Sequence, residues 1–259
     1  MKLLAIGPSD STIQLGEKLK NLNPDIKTIG LHRAFPYLKQ NHNIDLDYWT
    51  WGDPNSTQMG FDYIKNNPNE PIPHIILPKW SKTISTFNNL SGTTQLNRYP
   101  KRIREYEDTL QKFEKKGKVT FIENALPTKG IKDTQLITNP KLRFSDQFTI
   151  FGTVPFDGIH AESNWALENK FTSLILPTCY YLGAKEVYCI GFDNRGTGIN
   201  RTIPLLNNNQ NHIQKFLSKY PKWVNDWKPY HNMNIYSITP DKFSPINQIM
   251  EYKSIKELK

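Results

Sequence analysis

Residues 171–193 read FTSLILPTCYYLGAKEVYCIGFD, and this stretch decides the predicted fold. Residues 171–182 are strongly apolar and are predicted to form a helix, which Gly183 ends. Residues 186–190 follow at once and are predicted to form a buried strand. A helix that leads directly into a buried strand is the unit from which parallel α/β sheets are built.

The same alternation of strand and helix runs along the rest of the chain. Residues 2–6 are an apolar run that ends at Gly7-Pro8-Ser9, and helical periodicity follows over residues 12–22. Further strands are predicted over residues 27–31, 45–51, 73–77, 119–123 and 233–238, and further helices over residues 61–66, 102–116 and 211–220. We therefore predict α/β architecture: a single Rossmann-like domain over residues 1–259, with a mostly parallel sheet flanked by helices. Residues 79–153 are polar and weakly periodic, which predicts a less regular insertion or lid in the middle.

The composition fits an enzyme-sized globular chain. The 259 residues are 37% hydrophobic, which supplies a core. No run approaches the roughly 18 apolar residues of a membrane span, so we expect a cytoplasmic protein. The two cysteines, Cys179 and Cys189, fall in the predicted helix and the strand after it, and we expect both to be core residues without a disulfide.

The net charge of +9 has two readings. It indicates an affinity for anions, or it reflects a bias toward Lys, Asn and Ile along the whole chain. A nucleic-acid-binding module is an alternative function, but the lysines are spread rather than clustered, so we expect no nucleic acid partner. The basic segment 253–259 could contact the inner face of a membrane or end as a solvated helix. An apolar helix face could equally be a subunit interface, so a homo-oligomer stays open.

Ligands of open parallel sheets bind beyond the carboxyl ends of the strands, where several polar segments of this chain are predicted to lie. Gly7, Pro8 and Ser9 form the turn after the first strand, which could bring backbone N–H groups and a hydroxyl to a phosphate or could be a tight turn alone. Neither the full dinucleotide fingerprint nor the Walker phosphate loop is present.

Two further segments could meet an anion. Lys170, Thr172 and Ser173 begin the apolar helix, where they could bind a phosphate or simply cap the helix. Asp193 and Arg195 follow the strand at residues 186–190, and the guanidinium could neutralise a leaving phosphate.

The six histidines divide by position. His74 lies in a predicted strand and is interpreted as structural, and His42 lies in a polar segment and is interpreted as solvated. The others are predicted near loops or helix starts and are candidates for a general base: His32, His160, His212 and His231.

The segments KFTS at residues 170–173 and LGAKEVYCIGFD at residues 182–193 resemble bacterial lipooligosaccharide sialyltransferases. Those enzymes carry a similar Arg-x-Thr-Ser passage, apolar helix, Leu-Gly-x-Lys-Glu-Ile-Tyr strand and Gly-x-Asp turn. The Gly7-Pro8-Ser9 turn and the YSITP passage at residues 236–240 are similar to the family's first turn and closing strand.

The resemblance implies a variant A-type glycosyltransferase fold and a CMP-activated nonulosonic acid as donor. It implies transfer to a glycan acceptor in lipopolysaccharide biosynthesis, by inverting displacement without a metal or other cofactor. The fold also resembles flagellin glycosyltransferases and a pterin diphosphokinase, so fold transfers better than reaction.

Site residues follow from the resemblance by position. Thr172 and Ser173 would bind the nucleotide, Lys170 stands where the family has Arg, and Arg195 takes the place of tyrosines that stabilise the departing phosphate. The family's Asn-containing turns after the second and third strands correspond to His32-Arg33 and Asp53-Pro54-Asn55.

The family's catalytic base corresponds to His212, with His231 and His160 in reserve. The alternative enzyme is a Mg²⁺-dependent phosphotransferase of the pterin diphosphokinase type, with Asp53 or Asp193 holding the metal.

Overall fold

The computed structural model describes residues 1–51, 54–78, 100–122, 175–192, 233–241, 244–248 and 250–259. Predictions for residues 171–174, for the helix at 211–220 and for most of the insertion at 79–153 lie outside this part of the chain.

The described strands form one eight-stranded sheet in the order β5-β4-β3-β2-β1-β6-β7-β8. In chain order the strands are β1 Lys2–Ile6, β2 Ile26–Leu31, β3 Tyr48–Thr50, β4 His74–Pro78, β5 Val119–Ile122, β6 Glu186–Ile190, β7 Asn234–Ser237 and β8 Glu251–Tyr252. The pairings from β2 through β1, β6 and β7 to β8 are parallel, as is the pairing of β4 with β5. The predicted parallel α/β fold is thereby confirmed.

Helices alternate with these strands. The α-helices among the described residues are α1 Asp10–Leu15, α2 Ala34–His42, α3 Pro54–Asn66, α4 Pro100–Lys115 and α5 Leu176–Tyr181. Short 3₁₀ helices cover Gly16–Asn21, Pro245–Gln248 and Ile255–Leu258. The predicted helix at residues 12–22 is therefore α1 followed by a 3₁₀ turn, and a further helix, α2, follows β2.

The chain divides into two compact units, one of Met1–Trp49 with Leu182–Lys259 and the other of Thr50–Tyr181. In the first unit β1 is the central strand, and Leu3, Leu4, Ala5 and Ile6 are fully buried. A continuous apolar run is what a parallel strand needs when both of its faces are covered. The prediction of a single domain over residues 1–259 stays a prediction.

The second unit has its own buried residues. Ile75, Ile76 and Leu77 of β4 are buried, and Phe61 of α3 packs edge-on against Tyr106 of α4 with ring centroids 5.8 Å apart. His74 begins β4, and its Nε2 lies 2.8 Å from Thr120 Oγ1 of β5, which agrees with its structural interpretation.

Both cysteines are free and buried, as predicted. Burial raises the pKa of the Cys179 thiol well above its usual range, because a thiolate would lose its hydration there. The residue is therefore a small apolar core residue at neutral pH.

One sequence interpretation was wrong, and another missed a buried residue. His42 is not a solvated loop residue: it ends α2, its side chain is 14% exposed, and its Nδ1 lies 3.0 Å from Glu17 Oε1. Residues 253–259 end in the 3₁₀ helix Ile255–Leu258 with exposed lysines, but Leu258 is fully buried and its carbonyl accepts a hydrogen bond from Asn23 N. In each segment a single mostly buried side chain, His42 or Leu258, lies among polar and charged residues, so the sequence pattern did not indicate its burial.

Candidate functional site

The strand order places a topological switch point between β1 and β6. From β1 the chain moves through β2, β3 and β4 to β5 on one side of the sheet, and it returns to β6 on the other side. At such a switch point an open parallel sheet has a crevice beyond the carboxyl ends of the two strands. This crevice is where an open parallel sheet binds its ligand.

The register brings three turns to one level at this edge. Ile6 pairs with Gly30 of β2 and with Ile190 of β6. β1 and β6 therefore end at the same level, at Ile6 and Ile190, and β2 ends one residue later, at Leu31. All three turns belong to the unit that contains β1.

Backbone hydrogen bonds join the turn after β1 to the end of β6. Gly7 N donates to Ile190 O at 2.7 Å, and Ser9 N donates to Gly191 O at 3.1 Å. The two strand ends are thus fastened together beyond the last ladder pair, and the Gly7-Pro8-Ser9 turn is fixed relative to β6.

Two buried hydroxyls complete this connection. Gly191 N donates to Ser11 Oγ at 2.9 Å, and Thr12 Oγ1 donates to Gly7 O at 2.7 Å. Ser11 is 2% exposed and Thr12 is fully buried. Sequence reasoning missed both residues. Two hydroxyl residues directly after a strand-ending Gly-Pro turn were the available signal.

Gly7 and Gly191 approach each other too closely for any side chain. A Cβ on Gly7 would overlap the carbonyl of Gly191, and a Cβ on Gly191 would overlap the carbonyl of Gly7 and the hydroxyl of Thr12. Gly191 also has φ +79, which strains an L residue. The ends of β1 and β6 therefore meet through bare backbone, with no room for a side chain between them.

Ser9 carries the hydroxyl predicted to face a ligand. The N–H groups of Gly7 and Ser9 are already engaged with β6, so a ligand at this turn meets the Ser9 side chain rather than these two donors. Ser9 is 9% exposed, and its hydroxyl has no hydrogen bond to any other described residue. It is available as both donor and acceptor.

Arg33 supplies a positive charge in the turn after β2, the strand that pairs with β1. It lies two residues beyond β2, immediately before α2, and is half-buried. Arg33 forms no ion pair with any residue of the described part of the chain. A half-buried guanidinium without a counter-ion is suited to an anionic ligand, because its planar fork matches carboxylate and phosphate oxygens.

Most other predicted site residues lie outside the described residues. They are Asp53, Lys170, Thr172, Ser173, Asp193, Arg195 and the histidines His160, His212 and His231. Asn55 lies in the first turn of α3. Where the chain is described, no group of three His, Cys, Asp or Glu side chains could hold a metal ion.

No protein-family model matches the chain, and no curated protein sequence matches it. Solved structures do. The monofunctional α-2,3-sialyltransferase Cst-I from Campylobacter jejuni is 12% identical, with 98% of this chain and 81% of that chain covered and a TM-score of 0.47. The sialyltransferase CstII from the same organism, in complex with cytidine-5'-monophosphate, is 11% identical, with coverage of 98% and 86% and a TM-score of 0.47.

CstII in complex with the substrate analogue CMP-3FNeuAc is also similar, at 12% identity, 97% and 85% coverage and a TM-score of 0.45. These structures are sialyltransferases, the class that residues 170–193 resemble.

Within the described ranges, no helix has the length and apolar character needed to cross a membrane.

Proposed function

We propose that this chain is a glycosyltransferase that transfers sialic acid or a related nonulosonate from a CMP-activated donor to a glycan acceptor. The observation that carries the proposal is the close glycine contact at the β1/β6 switch point, together with the Ser9 hydroxyl and with Arg33, which has no ion-pair partner among the described residues. That arrangement suits a nucleotide phosphate and ribose, and the motif at residues 170–193 supplies the class of donor by resemblance.

In the proposed reaction, His212 removes a proton from the acceptor hydroxyl, and the resulting oxygen attacks the anomeric carbon of the sugar. The bond from that carbon to the CMP phosphate breaks, and CMP leaves. Its charge is met by Arg195, Thr172 and Ser173, while Lys170 and Asp193 bind other parts of the nucleotide. A single displacement inverts the anomeric centre, and no metal is required.

Gly7, Pro8, Ser9 and Arg33 hold the nucleotide from the side of β1 and β2. Asp53 and Asn55 would contact it from the turn after β3. His231 and His160 are the reserve candidates for the base if His212 does not serve.

We further propose a cytoplasmic enzyme of lipopolysaccharide biosynthesis. If residues 253–259 contact the inner membrane face, Lys256 and Lys259 would make the contact, since both are exposed. Lys253 is instead paired with Glu251, with 2.7 Å between Lys253 Nζ and Glu251 Oε1. Whether copies of the chain associate is tested by light scattering.

The first experiment measures the shift in melting temperature with CMP, CDP, UDP, GDP and ATP, each with and without Mg²⁺. A ligand that binds only the native state raises the melting temperature. We expect CMP to do so equally with and without metal. A shift with ATP that requires Mg²⁺ would instead identify the phosphotransferase, and a shift with UDP or GDP alone would identify another donor.

Two variants then test the site. Arg33→Ala is expected to weaken CMP binding about tenfold, the scale of one charge-assisted hydrogen bond. Lys2→Ala is the control, because it also removes one positive charge from the β1 unit but at the amino end of β1.

His212→Ala is expected to keep CMP affinity and to lower kcat by about 10²- to 10⁴-fold. Full transfer by His212→Ala would exclude His212 as the base.

A further inference from the structure

The turn after β2 has an unusual backbone. His32, the first residue beyond β2, has φ 51, in the left-handed region that non-glycine residues rarely adopt. Such a conformation persists only where the surrounding structure holds it, and it is found disproportionately at functional sites. The next residue is Arg33, so whatever fixes His32 also fixes the start of the Arg33 side chain.

Trp49 of β3 holds this turn. Its indole Nε1 donates a hydrogen bond of 2.7 Å to the carbonyl oxygen of His32. The distance is short for an N–H donor, so the bond is well formed. Trp49 is fully buried, and its side chain therefore has one fixed position.

The same indole also contacts the chain on the other side of Arg33. Its ring packs against the ring of Phe35, in the first turn of α2, with centroids 5.0 Å apart and planes tilted by 54°. Phe35 is fully buried too. Arg33 is thus bracketed by a hydrogen bond to residue 32 and a ring contact to residue 35, both made by one side chain.

We propose that Trp49 is a positioning residue of the nucleotide site: by holding His32 and Phe35, it aims Arg33 at the ligand. The inference rests on the function proposed above, in which Arg33 contacts the nucleotide. Tryptophan is the side chain that supplies a large apolar ring and an N–H donor together. The substitution Trp49→Phe keeps an aromatic ring against Phe35 and removes the N–H donor to His32. It therefore tests the hydrogen bond separately from the packing of the ring.

The test is a double-mutant cycle of Trp49→Phe and Arg33→Ala, with nucleotide affinity measured by titration calorimetry and stability by urea unfolding. CMP is the probe. In the native background, W49F is expected to weaken CMP binding about tenfold. In the R33A background, W49F is expected to change affinity less than about twofold, because its effect acts through Arg33.

Tyr188→Phe is the matched control. It removes one side-chain hydrogen bond, from Tyr188 to Glu186 at 2.7 Å, and keeps a ring that stacks on Tyr236. Tyr188 belongs to the same unit and lies within β6, away from its carboxyl end. We expect Y188F to lower stability and leave CMP affinity unchanged.

Each outcome decides the proposal. An affinity loss for W49F that persists unchanged in R33A, or stability loss without affinity loss, would reduce Trp49 to a packing residue. If CMP fails to bind but another of the five nucleotides binds, the donor assignment is wrong, and the cycle is measured with that nucleotide. If none binds the native protein, the function and the positioning role are both overturned.

A second background keeps the test possible if W49F does not fold. Glycine adopts φ near +51 without strain, so His32→Gly removes the backbone strain at this turn. The comparison is then H32G against H32G/W49F, each with and without R33A, and the same tenfold and twofold limits apply.

Discussion

At the scale of single residues, Gly183 and Gly191 flank β6 with the same φ of +79 but have different surroundings. A Cβ on Gly183 would meet nothing within 4 Å, whereas one on Gly191 would overlap the Gly7 carbonyl and the Thr12 hydroxyl. Substitutions at these two positions therefore separate the free-energy cost of a left-handed backbone from the cost of the close contact between β1 and β6.

Gly183→Ala is expected to cost about 1–2 kcal/mol, the cost of a left-handed alanine. Gly191→Ala should cost about 1–3 kcal/mol more, because a backbone carbonyl and a buried hydroxyl must move. Urea unfolding of both variants measures the difference. Equal losses would mean that the ends of β1 and β6 are not in close contact.

Some of the site was predictable at this scale and some was not. The Gly7-Pro8-Ser9 turn was found from the sequence, because glycine after an apolar run is a local signal. The hydrogen bonds that its N–H groups donate to β6 and Gly191 could not be predicted, because the partners are distant in sequence. Likewise, Ser11 accepts its hydrogen bond from Gly191 N, 180 positions along the chain. The role proposed for Trp49 was hidden for the same reason.

At the scale of elements, Asp47 fixes the start of β3 against β2. Its carboxylate accepts hydrogen bonds of 2.9 Å from Lys27 Nζ, Thr28 N and Thr28 Oγ1. Burial alone would raise the pKa of Asp47, but these bonds outweigh it and lower the pKa below its usual value near 3.8. The contribution of Asp47 to stability is therefore complete above the unfolded pKa and is lost as pH falls through the folded one.

Asp47→Asn is expected to destabilise the protein by about 1–2 kcal/mol at pH 7, because Asn has one acceptor oxygen in place of two, carries no charge and cannot accept all three bonds. The difference in the free energy of unfolding between the native protein and D47N should decrease below about pH 4, where the Asp47 carboxyl of the unfolded chain is protonated. Urea unfolding at pH 7 and pH 3 measures both. Asp45→Asn, at an exposed aspartate paired with Lys39, is the control and should change stability by less than about 1 kcal/mol.

Element prediction succeeded where burial is symmetrical. β1 and β6 are covered on both faces, so their apolar runs are continuous, and both were placed to the residue. β3 was predicted over residues 45–51 but spans only Tyr48–Thr50, because Asp47 uses side-chain bonds instead of a ladder. β8 was missed because its two residues, Glu251 and Tyr252, are exposed and carry no periodic pattern.

At the scale of the whole molecule, Leu258 ties the end of the chain to its beginning within the β1 unit. Its side chain is fully buried, and its carbonyl accepts a hydrogen bond from Asn23 N at 2.8 Å. A capping box of Ser254 and Glu257 starts the 3₁₀ helix that contains it.

Leu258→Ala is expected to lower the free energy of unfolding by about 2–4 kcal/mol. Lys256→Ala, on the exposed side, should cost under about 0.5 kcal/mol by the same urea measurement. An unchanged L258A would mean that this segment does not pack.

The hydrogen bonds between the turn after β1 and the end of β6 also bear on how the chain folds. Ser11 and Gly191 are 180 positions apart, so a growing chain leaves the ribosome with β2 available to β1 long before β6 exists. One edge of the most apolar strand stays unpaired during that interval, and an open apolar edge invites association with other chains. Distant pairing of this kind also slows folding. The order of synthesis therefore makes the centre of this sheet one of the last parts to close.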